Sequence, residues 1–216
     1  MLSDAIIIAM EYIGTVAFAV SGTLVAIACS LDLFGVLTVG CITAVGGGII
    51  RDLLIGNTPP LVFFKPQILI LAVLTSLVVF VISYKKAKNF STLRGKLEKI
   101  NIVFDAFGLG AFSVMGVEVA CVEGFFDKAF LSVFLGVLTG VGGGIIRDIL
   151  VNEKPYVLTK HIYAAASIVG SMLYYFISVN LNQKVLATFV GLFITVIIRL
   201  FAAKYRWNFP KIKFEE

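Results

Sequence analysis

A chain of 216 residues is long enough for one or two soluble domains, but 59% of these residues are hydrophobic and only 14% are charged. That balance excludes an ordinary soluble globular protein and makes the lipid bilayer the expected solvent. The formal net charge of +5 at pH 7 comes without a nucleic-acid-binding motif. We therefore assign it to membrane topology and to attraction for anionic headgroups, and expect no nucleic-acid partner.

Seven apolar segments follow one another along the chain, and each is long enough to cross about 30 Å of hydrocarbon as a helix. Their short connections leave no room for a separate extramembrane domain, so function is expected inside the helix bundle. The predicted fold class is an all-α membrane protein with seven transmembrane helices. The predicted helices cover residues 5–28, 33–54, 66–84, 100–122, 128–150, 161–179 and 185–203.

Lysine and arginine residues are concentrated in two connections. The first is the segment 85–99 between the third and fourth helices, and the second is the tail that follows the seventh helix. Positive charge in short loops marks the cytoplasmic side of a membrane protein. We therefore expect this segment and the C-terminus in the cytoplasm and the N-terminus outside.

One ten-residue segment occurs twice. Residues 43–52 and 139–148 are identical except that Ala44 is replaced by Gly140. The helix before each copy also has a shared pattern, acid-x-x-Gly-x-x-x-Phe-x-x-x-Gly, which starts at Glu11 and at Asp105. Because each unit contains three helices, the second copy must cross the membrane upside down relative to the first. We predict two inverted repeats over 5–84 and 100–179, a basic cytoplasmic linker at 85–99 and an extra helix at 185–203.

Each copy contains three consecutive glycines, and each glycine costs roughly 1 kcal/mol relative to alanine in a helix. We therefore predict that the second and fifth helices are broken at the triplets. Freed carbonyls in a membrane must face protein, water or a permeant, and the negative end of a helix dipole favours a cation. The alternative is that the glycines only allow close helix contact. The candidate pore or ion-binding residues are Gly46, Gly47, Gly48, Gly142, Gly143 and Gly144, with Thr43 and Thr139.

Hydroxyl groups on the same helices are less informative. Ser21, Thr43, Ser113 and Thr139 can line an aqueous path, or they can bond back to their own helix backbone.

Ionisable side chains lie near the ends of the predicted broken helices, where a charge is costly unless it is paired or hydrated. The arginines can extend to the interface or cap carbonyls, with the aspartates neutralising them, or the charges can form a gate or vestibule. Glu11 and Asp105 can pair with the arginines or attract cations. The candidate charges are Arg51, Asp52, Arg147, Asp148, Glu11 and Asp105. We also expect Glu118 to be solvated and Arg199 to extend to the cytoplasmic interface.

The sequence lacks the usual signatures of an enzyme. We find no nucleotide-binding loop, catalytic triad or cofactor motif. A single histidine and three cysteines without paired spacing do not suit a transition-metal site or a disulfide framework. We therefore expect no catalytic residue, no cofactor and no transition metal.

The duplicated Gly-Gly-Gly-Ile-Ile-Arg-Asp motif, the repeated acid-x-x-Gly-x-x-x-Phe-x-x-x-Gly helix and the seven spans resemble the prokaryotic trimeric intracellular cation (TRIC) channels, a family also described as a duplicated bacterial "glycine transporter" domain. The resemblance implies a homotrimer in the prokaryotic inner membrane with a pore in each subunit. It further implies membrane lipids and monovalent cations as partners, chiefly potassium, with K+ or Na+ at the glycine carbonyls. The alternative is a secondary transporter of a small solute such as glycine, because inverted repeats serve both functions.

Overall fold

The computed structural model describes residues 2–86, 90–159 and 162–207. The regular structure of this part of the chain is entirely helical, which confirms the predicted all-α fold. Its α-helices are α1 (Leu2–Ala28), α2 (Leu33–Leu54), α3 (Pro66–Lys86), α4 (Phe90–Ala120), α5 (Ala129–Leu150), α6 (Tyr156–Thr159), α7 (Ala164–Asn180) and α8 (Lys184–Tyr205). A short 3-10 helix (Leu61–Phe64) precedes α3, and a π-helical turn (Cys121–Phe125) follows α4.

Six of these helices, namely α1 to α5 and α8, are long and apolar enough to cross a membrane. Helix α7 has 17 residues, which is the lower end of the length that spans a bilayer. The short α6 is a single turn between α5 and α7. Six helices of spanning length and the shorter α7 therefore form the bundle, which agrees with the predicted all-α membrane fold.

Several predicted helix boundaries differ from the structure by a few residues, and the start of the fourth helix differs most. Helix α4 begins at Phe90 instead of residue 100, so most of the predicted basic linker is the first part of a helix. Helix α7 begins at Ala164 instead of residue 161. Part of the basic charge on which the orientation rests lies outside the described side chains, namely Lys86, Lys88, Arg94, Lys96 and the tail from residue 208.

The two glycine triplets lie inside uninterrupted helices, so the prediction that α2 and α5 are broken is wrong. At the triplets the two helices touch through their backbones. A Cβ atom added to Gly47 would collide with the carbonyl oxygen of Thr139, and one added to Gly143 would collide with that of Thr43. Packing of this closeness offsets the low helix propensity of glycine. This geometry supports the alternative interpretation, in which the glycines allow close helix contact.

The contacts at this crossing also show how the repeats are related. Gly47 faces Thr139 while Gly143 faces Thr43, so residue numbers rise along one helix as they fall along the other. Equivalent helices of the two repeats are therefore antiparallel, as an inverted repeat requires. The aromatic residues obey the same symmetry, because Phe18 packs on Phe112 with ring centroids 5.3 Å apart.

Helix α8 has no counterpart in the repeat. It packs mainly on α7 and α4, and its approach to α4 is close. A Cβ atom on Gly110 would lie 3.0 Å from the carbonyl oxygen of Leu192.

Candidate functional site

The first-repeat ion pair lies near the C-terminal end of α2. Arg51 donates from Nε and Nη2 to Oδ1 of Asp52 at 2.9 and 2.7 Å. The other oxygen of Asp52 accepts the backbone N–H of Leu61 at 2.9 Å. Both charged side chains are buried. The aspartate therefore neutralises its neighbour and fixes the turn that follows the helix.

A small cleft of about 70 Å³ opens beside this pair and extends to Gly48 and Thr139. We call it the Arg51 cleft. Its mouth carries a second ion pair, because Lys65 Nζ donates to both carboxylate oxygens of Glu11 at 2.9 and 3.1 Å. Glu11 therefore pairs with a lysine of its own repeat, a partner that the sequence did not indicate.

The second-repeat pair repeats this arrangement on α5. Arg147 Nε donates to Oδ1 of Asp148 at 2.8 Å, and Oδ2 of Asp148 accepts the N–H of Tyr156 at 2.8 Å. Arg147 also reaches across the bundle. Its Nη1 donates to Oδ1 of Asp105 at 2.8 Å and to the hydroxyl oxygen of Ser21 at 2.6 Å. One guanidinium group thus connects both repeats.

Arg199 of α8 belongs to the same group of charges. Its Nε lies 4.0 Å from Oδ2 of Asp105, and its guanidinium carbon lies 4.8 Å from the centroid of the Tyr163 ring. The side chain is 1% exposed. The expectation that Arg199 extends to the interface is wrong, because α8 directs this residue into the bundle against α4.

A second cleft, of about 560 Å³, opens beside Asp148, and we call it the Asp148 cleft. Its charged side chains are three carboxylates and one ammonium group. They belong to Glu98, Asp148, Glu153 and Lys154.

The two clefts lie on opposite sides of the α2–α5 crossing. Arg51 and Asp148 occupy the C-terminal parts of two antiparallel helices that cross at their glycine triplets. The hydroxyls of Thr43 and Thr139 donate to carbonyl oxygens of their own helices, each at 2.6 Å. The structure therefore brings the six predicted charges into two groups, with the triplets between them. Glu11, Arg51 and Asp52 line the Arg51 cleft, whereas Asp148 lines the Asp148 cleft and holds the fully buried Arg147, which is bound to Asp105.

Comparison with known proteins agrees with this duplicated architecture. A family model described as "Glycine transporter" matches the chain twice, over residues 8–84 and 102–179. The UPF0126 inner membrane protein YadS of Escherichia coli (strain K12) is 37% identical over 219 residues, which cover 96% of each chain. A TRIC cation channel, solved to establish the structural basis of its conductance, is 40% identical with a TM-score of 0.81, over 96% of this chain and 97% of that one. The chain belongs to the TRIC channel family.

A TRIC trimeric intracellular cation channel orthologue from Rhodobacter sphaeroides has the same fold, with 28% identity and a TM-score of 0.82 over 93% of this chain and 98% of its own. The two ranges matched by the family model fall within the predicted repeats, and α8 lies outside both. The TRIC-family chain described here is therefore a multi-pass membrane protein with one helix added to a duplicated unit.

Sequence reasoning missed two buried charges of this TRIC-family bundle. Glu118 is 7% exposed and accepts hydrogen bonds from the Tyr174 hydroxyl and from Lys184 Nζ, both at 2.7 Å, so the expectation that it is solvated is wrong. Arg199 is the other. The available signal was a charge inside an apolar helix, which in a membrane calls for a partner.

Proposed function

We propose that this chain is a cation channel whose path runs inside the subunit, from the Arg51 cleft through the α2–α5 crossing to the Asp148 cleft. The observation that carries the proposal is the pair of polar clefts on opposite sides of a crossing built from glycine and threonine backbone. Polar clefts that approach each other from the two sides of a bundle are expected of a path for a hydrated solute.

Charge favours cations along this path. Arg147 neutralises Asp148, so two further carboxylates, those of Glu98 and Glu153, face the one ammonium group in the Asp148 cleft. This excess of negative charge raises the local cation concentration. The Arg51 cleft contains Glu11 and Asp52 against Arg51 and Lys65, so it presents no net charge. Since Arg51 and Arg147 are both bound to aspartates, neither presents an uncompensated positive charge to an ion.

The crossing is the barrier in this proposal. Residues 43–48 of α2 and 139–144 of α5 come too close for an ion to pass, so conduction requires the two helices to separate. Gly46, Gly47, Gly48, Gly142, Gly143, Gly144, Thr43 and Thr139 then line the path. Arg51, Asp52, Glu11, Arg147, Asp148 and Asp105 are the charges of the vestibules at its two ends.

Potassium is the proposed main permeant, and the active form is a homotrimer with one path in each subunit. The names of the similar proteins support this assembly and setting, since the Rhodobacter sphaeroides orthologue is called a trimeric cation channel and YadS an inner membrane protein. We accordingly propose the prokaryotic inner membrane, with the C-terminus in the cytoplasm.

Single-channel recording of the purified protein in a planar bilayer tests the proposal. In asymmetric potassium chloride we expect unitary currents that reverse near the potassium equilibrium potential. With potassium on one side and sodium on the other, the reversal potential gives their permeability ratio. Reversal at the chloride potential would contradict the proposal, and so would saturable glycine uptake by vesicles in the absence of unitary currents.

A further inference from the structure

Each repeat is associated with a set of four buried or half-buried charges, two acids and two bases. In the first repeat all four come from the repeat itself. They are Glu11, Lys65, Arg51 and Asp52. In the second repeat, Asp105, Arg147 and Asp148 provide three charges, and the fourth in the described part of the chain is Arg199. That residue belongs to α8, the helix without a counterpart.

Asp105 is the carboxylate that needs this fourth charge. Its Oδ1 is bound to Arg147, whereas its Oδ2 lies 4.0 Å from Arg199 Nε, and the buried Tyr163 hydroxyl is the neutral polar group beside the same carboxylate. The side chains of all three residues are at most 1% exposed. Arg147 already neutralises Asp148, so without Arg199 this set would carry a net negative charge. Removal of one partner leaves a buried charge uncompensated, which is strongly unfavourable.

Helix packing holds Arg199 in this position. Helix α8 is antiparallel to α4, and at its other end Lys184 is bound to Glu118 of α4 at 2.7 Å. Between the two ion pairs, Gly110 of α4 lies against Leu192 of α8. The guanidinium group also rests on the Tyr163 ring, a contact that favours a cation. The position of Arg199 is thus determined by α8 as a whole.

We propose that Arg199 is a positioning residue that balances Asp105, keeps this carboxylate directed at Arg147 and so sets the charge of the second-repeat side of the cation path. The consequence for conduction rests on the channel function proposed above. The charge pairing does not, and it can be tested separately.

A double-mutant cycle on the intact protein tests the pairing without any current. The variants are Arg199→Gln, Asp105→Asn and the two combined, with trimer assembly and the thermal midpoint measured in detergent. We expect each single variant to lower the midpoint by roughly 10 °C and the double variant to lose much less than the sum. Additive losses overturn the pairing. If Arg199→Gln does not assemble, assembly of the double variant supports the pairing, and failure of the double variant overturns it.

Current measurements then test the role of Arg199 in the path. The neutral Arg199→Gln leaves the second-repeat set negative, so we expect the potassium-to-chloride permeability ratio to rise roughly threefold. Arg199→Lys and the double variant should return the ratio to the parent value. Lys204→Gln, which removes an exposed positive charge from the same helix, is the matched control and should leave it unchanged.

The outcomes separate the two proposals. A parent protein without cation current overturns the channel function, while the stability cycle still decides the pairing. A cation-conducting parent whose permeability ratio is the same in Arg199→Gln as in Lys204→Gln overturns the role of Arg199, because a purely structural residue would change stability and not selectivity.

Discussion

Two adjacent glycines of the first triplet have different surroundings. A Cβ atom on Gly47 would collide with the backbone carbonyl of Thr139, whereas one on Gly48 would meet only Arg51 Nη2 at 3.7 Å, an ordinary contact. A backbone carbonyl in a packed helix cannot move aside as a flexible side chain can. The two positions therefore form a matched pair, in which the same methyl group is added one residue apart.

We expect Gly47→Ala to destabilise the protein by about 2 kcal/mol, because the methyl group forces α2 and α5 apart. Gly48→Ala should be neutral or more stable by up to about 1 kcal/mol, since alanine has the higher helix propensity. Thermal unfolding of the purified protein in detergent measures both. Equal effects at the two positions would show that the Gly47 contact with α5 does not determine stability.

The same pair separates packing from conduction. If the crossing is the barrier, a Gly47→Ala variant that still assembles should give a different unitary current from the parent, because the closest point of the path has changed. Gly48→Ala adds its methyl group in the Arg51 cleft and away from α5, so it should change the current less than Gly47→Ala does. A Gly47→Ala variant with unchanged current in planar bilayers would exclude the crossing from the path.

The sequence predicts only some of the partners of the buried charged residues. The Arg51–Asp52 and Arg147–Asp148 pairs join consecutive residues, and compensation of their charges was one of the two alternatives that the sequence left open. The bond between Arg147 and Asp105 joins residues 42 positions apart, and no local pattern specifies it. Which of two acids an arginine meets depends on how the helices rotate and cross, and that depends on packing.

At the level of helices, α8 contributes to a polar contact that links it to α4 and α7. Glu118 accepts hydrogen bonds from the Tyr174 hydroxyl of α7 and from the Lys184 ammonium group of α8. One carboxylate therefore joins three helices at the end of the bundle away from Asp105.

We expect Glu118→Ala to lower stability by about 2 kcal/mol, because it leaves the buried Tyr174 hydroxyl without its acceptor. Glu123→Ala is the control, since Glu123 is exposed. Among the described residues, it accepts a hydrogen bond only from Asn57, which also lies at the surface. Its unfolding midpoint should match that of the parent. If both variants unfold like the parent, Glu118 does not hold the three helices together.

Helices themselves were largely predictable, because apolar runs of span length and an almost exact repeat leave few alternatives. The predicted breaks failed for a physical reason. Helix propensity measures the backbone cost of glycine in isolation, but here the absent side chains allow α2 and α5 to touch, and this contact keeps both triplets helical. Helix α8 was found as a span, yet its role was not, since nothing in the repeat predicts the partner of an unrepeated helix.

Membrane orientation belongs to the scale of the whole molecule. The basic residues of segment 85–99 and of the C-terminal tail favour the cytoplasm for both. We expect a cysteine at Ser91 to be protected from a membrane-impermeant thiol reagent in intact cells, and one at Ser3 to be labelled, in a background without the native cysteines. Labelling of position 91 from outside would reverse the proposed orientation.

The proposed trimer, with one path in each subunit, can be tested by cross-linking and by recording. Both clefts and the crossing between them are formed by one chain, so a complete path does not require residues from a second subunit. If three such subunits associate, cross-linking in mild detergent should stop at the trimer, and one trimer in a planar bilayer should show three equal conductance levels. A single indivisible level would indicate a path on the shared axis, and a ladder that ends at the dimer would contradict the trimer.

Mixed trimers that contain Gly47→Ala subunits give a further test of one path per subunit. Mixed trimers should show parent and altered levels side by side, because each subunit conducts through its own crossing.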